Sequence, residues 1–244
     1  MEKKEKTNVI EVVGVIENNP VFCYETHDER FYNFTVAVSR TSGAIDHITV
    51  RASGFIINPA EDLAGKIVRI KGQLRSRHVR ENNAPKINQK FVEDSSELTK
   101  NISFMERYLF LSSIEPVTEE KSQNFESNNM VKLDCYICKP SVFRQTSLSR
   151  LDIADVYVAV NREYRGADYI HLLVWGRKGN MAAKLPVGTH LQITGRLQSR
   201  LNTLYQQIVL EVSVSKFIVL DGSTIPSQEK LENYQKKDSE EVSA

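Results

Sequence analysis

Gly72-Gln73-Leu74-Arg75-Ser76-Arg77 recurs as Gly195-Arg196-Leu197-Gln198-Ser199-Arg200, 123 residues further along the chain. Working outward, Val36-Ala37-Val38-Ser39-Arg40 recurs as Val158-Ala159-Val160-Asn161-Arg162, at an interval of 122. Between these landmarks Ile48 answers to Ile170, Gly54 to Gly176 and Gly65 to Gly188. One module is therefore present twice. Solenoid repeats have periods of about 20–50 residues, so this spacing points to two duplicated globular domains.

Both copies alternate apolar residues at period two, the signature of half-buried strands. In the first copy the inward sets are Phe34, Val36, Val38; Ile48, Val50, Ala52; and Val68, Ile70, Gly72, Leu74. In the second they are Val156, Val158, Val160; Ile170, Leu172, Val174; and Leu191, Ile193, Gly195, Leu197. A first strand is predicted at Val9–Gly14 and Val131–Ile137, and a last one around Tyr108–Ile114 and Tyr205–Leu220. Five strands in about a hundred residues suit a small closed barrel, which leaves no exposed sheet edge. Pro59–Leu63 and Met181–Leu185 read as a helical turn or short helix between the third and fourth strands.

The 244 residues carry a net charge of +1, which by itself argues for no polyanion. The charge is unevenly spread, and local charge governs association. Lys66 to Lys90 holds eight Lys/Arg and one acid, and Tyr169 to Leu210 holds five Lys/Arg and no acid. No Gly-rich phosphate loop, HExxH or GxSxG occurs. The five histidines are scattered, and an enzyme is not expected. Cys135 and Cys138 have CxxC spacing, but in a strand such residues point to opposite faces, so they read as small hydrophobes. No apolar run is long enough for a membrane span and the start has no signal-peptide core, so the chain reads as cytoplasmic.

Strand parity locates a candidate surface. Opposite the inward set of Asp168–Gly176 lie Tyr169, His171, Leu173 and Trp175, with Tyr164 in the turn before. Arg196, Gln198 and Arg200 point the same way on the next strand, and Arg162, Arg177 and Lys178 flank. Rings among cations fit a single-stranded nucleic-acid platform, since bases stack on rings while Lys and Arg follow the phosphates. Parity alone leaves open that this face packs on another subunit, because arginine is also favoured in interfaces.

The ordered set Asn8-Val9, Gly14, Pro20, Phe34–Arg40, Ser42-Gly43, Asp46, Gly54 and Gly65–Arg77 resembles the bacterial single-stranded DNA-binding protein family. Val158–Arg162, Val174-Trp175-Gly176 and Gly195–Arg200 resemble it again, and together the two matches span roughly 8–80 and 130–218. The resemblance implies an all-β chain of two tandem OB-fold five-stranded barrels that bind single-stranded DNA with little sequence preference, in replication, recombination or repair. The expected layout is an N-terminal extension (1–7), OB-fold 1 (8–117, with a long hairpin insertion at 81–106) and a polar linker (118–129). OB-fold 2 (130–221) and a short, disordered polar tail (222–244) complete it. The family's stacking positions fall on Tyr164, Tyr169 and Trp175 in the second copy; a fourth falls on Asn202, with Tyr205 nearby. In the first copy they fall on Ser42, His47, Ser53 and Val79, so nearly every ring is gone. There the outward parity carries Arg51, Arg69, Lys71, Arg75 and Arg77, with Arg40 at a strand end. These cations, with Arg162, Arg177, Lys178, Arg196 and Arg200, are the expected phosphate contacts; a merely solvated face is the alternative for the first copy. Family assemblies present four barrels, which implies a homodimer of this chain. The family's usual Phe-tipped acidic tail recruits partners, whereas this chain ends Asp238-Ser-Glu-Glu-Val-Ser-Ala244, so that recruitment is not expected. No cofactor or metal is implied. A non-catalytic assembly adaptor and a single-stranded RNA binder are the alternative functions.

Overall fold

The computed structural model describes residues 7–79, 104–118, 128–146, 150–202 and 207–220. These hold β1 (Asn8–Ile16), β2 (Val21–Thr26), β3 (Glu29–Ser39), β4 (Ile45–Ser53), β5 (Ile67–Val79) and β6 (Phe104–Pro116) in the first repeat. The second has β7 (Asn129–Ile137), β8 (Val142–Gln145), β9 (Asp152–Asn161), β10 (Ala167–Trp175), α1 (Gly176–Ala183), β11 (His190–Asn202) and β12 (Gln207–Val219).

In the first repeat β1 pairs with β3 and β5, β3 with β4, β4 in parallel with β6, and β6 with β5. That circuit closes a five-stranded barrel. β7, β9, β10, β12 and β11 close the second by the same circuit, with β10 and β12 as its parallel pair. This is the OB-fold, present twice. Every residue of the inward sets is buried, the two glycines included, and all the apolar side chains among them join one core. The glycines have their own reason. A Cβ on Gly72 would stand 2.2 Å from the Phe110 carbonyl oxygen, and one on Gly195 2.4 Å from that of Ser213. Each marks the same register shift, between Lys71 and Gly72 in β5 and between Thr194 and Gly195 in β11. The shift bends the long strand around its barrel.

Three expectations are corrected. Each repeat has a sixth, short strand, β2 or β8, at the two outer edges of the joined sheet. The predicted helical segment Met181–Leu185 begins earlier, as α1, whereas Pro59–Leu63 forms turns. Phe104, Met105 and Glu106, placed by the sequence in the 81–106 hairpin insertion, belong to β6; the other residues of that segment lie outside those described. The 222–244 tail and most of the linker also lie outside them.

The barrels are joined edge to edge by β1 and β7, which pair antiparallel. Ile10 faces Val131, and the flanking pairs are Asn8 with Leu133 and Val12 with Asn129. Asn8 and Asn129 correspond in the repeat, so the register has a pseudo-twofold axis at the Ile10–Val131 pair. The side chain of Asn8 bonds both backbone groups of Leu74 at 2.9 Å, and that of Asn129 both groups of Leu197 at 2.7 Å. Each asparagine thus ties a first strand to the fourth strand of its own barrel.

Candidate nucleic-acid interface

The same axis organises a polar seam between the barrels. Asp46 accepts from Arg40 of its own repeat and lies 3.6 Å from Arg196 of the other. Its Oδ1 accepts the Ser199 N–H at 2.7 Å. Across the axis Asp168 accepts from Arg162 at 2.6 and 3.0 Å and from Arg75 at 3.2 Å, and takes the Ser76 N–H at 2.7 Å. The hydroxyl of Ser199 then accepts the His47 N–H, and that of Ser76 the Tyr169 N–H, both at 2.8 Å. Both aspartates are buried. Hydrogen bonds to Asp46 and Asp168 hold the Arg40 and Arg162 guanidiniums above their ordinary value, against the opposing effect of burial. This seam engages four of the cations expected to meet phosphate: Arg40, Arg75, Arg162 and Arg196. The outward parity of Arg75 and Arg196 is right, but what all four face is a buried carboxylate shared between barrels.

Arg51 departs further from expectation, because its side chain is only 1% exposed. Its guanidinium lies 3.8 Å from the Tyr108 ring centroid and 5.6 Å from that of Tyr24, with Nε donating to Asn33 Oδ1 at 2.9 Å. It is the centre of an aromatic layer in which Tyr24 stacks on Phe31 at 4.8 Å. Arg69 and Lys71 pair with Glu11 at 3.0 and 3.5 Å, and Arg77 pairs with Glu106 at 2.8 Å. The first barrel also keeps exposed rings that the family positions do not mark: Phe22, and Phe55 at 83% exposure.

On the second barrel Tyr164 is 89% exposed in the β9–β10 turn, Tyr169 45% and Trp175 39%. Tyr169 and Trp175 share one face of β10 and stand ~20 Å apart along it, at about 3.3 Å per residue. The strip between them is closed. Leu173 and His171 are buried, and His171 stacks on Tyr157 with centroids 4.7 Å apart. His171 also lies within a row of polar groups that crosses five adjacent strands. Arg144 of β8 donates to Asp155 of β9, and His171 of β10 contacts Asp155 at 2.9 Å and Glu211 of β12 at 3.1 Å. Arg200 of β11 closes the row on Glu211 at 3.0 Å. The face is therefore not free of acids. Burial pushes the Glu211 carboxyl up, but donation from His171, Arg200 and Gln198 outweighs it and holds the group below its usual range. Arg177 and Lys178, on α1 directly after Trp175, are exposed, and Lys178 donates to the Ser215 carbonyl. Among the described residues neither forms an ion pair.

The described residues contain no group of side chains suited to hold a metal. Their three cysteines are free, and burial pushes the Cys135 thiol up. No described helix is long and apolar enough to cross a membrane.

Two closed barrels of one topology, fused along their first strands, define the class: a tandem OB-fold protein. No protein-family model matches the chain, and no curated protein does. Among solved structures, the single-stranded DNA binding protein from Thermus aquaticus is similar in fold, at 15% identity and a TM-score of 0.63, covering 91% of this chain and 97% of that one. A deletion mutant of the same protein gives 18% identity and a TM-score of 0.61, covering 91% and 98%. The N-terminal domain of PriB protein from Thermoanaerobacter tencongensis is 25% identical over 47% of this chain and all of that one, with a TM-score of 0.34.

Proposed function

We propose that this protein binds single-stranded DNA with little sequence preference, in replication, recombination or repair, and that it carries no catalysis. The observation that carries the reading is the exposure of Tyr164, Tyr169 and Trp175 along one strand and its turn, with Arg177 and Lys178 exposed at the Trp175 end. Exposed rings offer π-faces to bases, each worth about 1–3 kcal/mol. Arg177, Lys178 and the half-exposed Arg200 take backbone phosphates. Arg69, Lys71 and Arg77 join them by exchanging Glu11 or Glu106 for phosphate, a small cost because exposed ion pairs are worth about 0–1 kcal/mol. Arg40, Arg75, Arg162 and Arg196 contribute field more than contact, since each already serves a buried aspartate. Trp175 is the only tryptophan in the chain. Titration with oligo-dT is expected to quench its emission, and oligo-rU and duplex to do so less. Flat emission with no binding at low salt overturns the reading in favour of a non-catalytic assembly adaptor.

A homodimer presenting four barrels accompanies this reading. The sheet ends in two short edge strands, β2 and β8, carrying exposed Val21, Phe22, Val142 and Phe143. Unpaired apolar edges invite pairing with another chain. The mass in solution tests it: a monomer at micromolar concentration removes the homodimer.

A further inference from the structure

We propose that the groove where β6 of the first barrel crosses the outer face of the second is a seat for a phosphate group, with Arg107 and Arg200 as its two guanidinium arms. The inference rests on the single-stranded DNA reading for the source of that phosphate, a backbone phosphodiester passing from one barrel to the other.

The groove is a cavity of about 220 Å³ lined by Phe104, Arg107, Tyr157, His171, Arg200 and Val209, among others. A water occupies about 30 Å³ of liquid, so a phosphate fits with part of its hydration shell. The two arginines come from different barrels and reach the groove by different routes. Arg107 lies on β6 opposite Ser76, and its Nε donates to the Tyr169 carbonyl at 2.9 Å. Arg200 lies on β11 and leans on Glu211, which also serves His171 and Gln198.

Arg107 is the anomaly. The arginines of the seam, Arg40, Arg75, Arg162 and Arg196, each meet a carboxylate. Among the described residues Arg107 meets only a carbonyl oxygen. Burial pulls its guanidinium below the ordinary value and Arg200 adds to that, against the opposing pull of Tyr157 and of Glu211, which is not in contact with it. Glu211 is shared by Arg200, His171 and Gln198, so among the described residues the half-buried Arg107 has no carboxylate in direct contact, and a bound anion supplies that partner. The repeat sharpens the point. Leu74 pairs with Leu109 as Leu197 pairs with Val212, so Arg107 corresponds to Leu210, which is wholly buried. Where the second hairpin places an aliphatic side chain in the core, the first places a guanidinium with no described carboxylate in contact. Guanidinium forks match phosphate oxygens with paired donors. Arg107 is also fixed to the backbone of Tyr169, so a base on that ring brings its own phosphate towards the groove.

Two measurements on the full chain test the seat, using Arg107→Met, which keeps bulk without charge, and Arg107→Lys, which keeps charge. At constant ionic strength, millimolar pyrophosphate is expected to raise the melting temperature of wild type and Arg107→Lys but not of Arg107→Met. Equal shifts in all three overturn the seat, whatever DNA does. In oligo-dT titrations read by Trp175, Arg107→Met is expected to reduce the slope of log K against log salt by about 0.7, the value of one single-strand phosphate. An unchanged slope beside an Arg107-dependent pyrophosphate shift overturns the phosphodiester as occupant and leaves a free phosphate compound. No DNA binding by wild type beside that same shift removes the DNA reading itself.

Discussion

At the scale of single residues, Glu211 and the rings near it behave differently from what their neighbours in sequence imply. Glu211 is buried yet held ionised by three donors, so its folded value lies below the unfolded one of about 4.3. The stability it contributes is complete above that pH and is lost as pH falls through the lower folded value. Urea midpoints are expected to be level above about pH 5 and to drop below pH 4. Glu211→Gln should flatten that acid limb and cost about 1–3 kcal/mol at neutral pH, since it weakens bonds to charged partners. The rings face a separate test. Trp175→Ala and Tyr169→Ala should each weaken oligo-dT binding by about 1–3 kcal/mol, most visibly at high salt, where phosphate contacts fade. Binding by the double variant equal to wild type in high salt sinks the stacking role. The acid-free window read from the sequence ended at Leu210, one residue short of Glu211. Asp155, the other acid of the row, had outward parity beside Val156 but lay upstream of that window.

At the scale of elements, the long hairpins β5–β6 and β11–β12 carry most of what makes the barrels fit together. Their bends depend on Gly72 and Gly195, where any Cβ meets a backbone oxygen well inside contact distance. Gly72→Ala or Gly195→Ala is expected to cost about 1–3 kcal/mol or more, as overpacking does, measurable by denaturant unfolding. Period-two alternation made these strands and their inward residues legible, because a half-buried strand writes its pattern directly into the sequence. Edge strands β2 and β8 were not legible: they are largely exposed, so nothing selects alternation in them. Parity likewise told which side Arg75 and Arg196 occupy but not that Asp168 and Asp46 would meet them there. Arg51 shows the same limit more sharply. Its outward parity was correct, and the side chain is nevertheless covered, because Tyr24 and Tyr108 from other strands close over it. Contacts between distant segments leave no local period to read.

At the scale of the whole molecule, the seam is held by two buried aspartates, each serving arginines from both barrels. Removing one leaves two guanidiniums facing each other in a partly buried site, and breaking a buried ion pair costs about 3–5 kcal/mol. Asp168→Ala is therefore expected to split a single calorimetric transition into two, as the barrels lose their mutual support. One unsplit transition at the wild-type temperature argues that the β1–β7 pairing alone unites them. That pairing has a consequence for chain connectivity. Because its register is centred on Ile10 and Val131, the seam contact of Asp46 with Ser199 is repeated across the axis by Asp168 with Ser76. These contacts and the β1–β7 pairing join the barrels through residues other than the connecting peptide. A protease site placed within 119–127 should yield two fragments that still elute together at the mass of the intact chain. The same geometry makes the order of the halves arbitrary: a gene with the second barrel encoded first is expected to give the same seam.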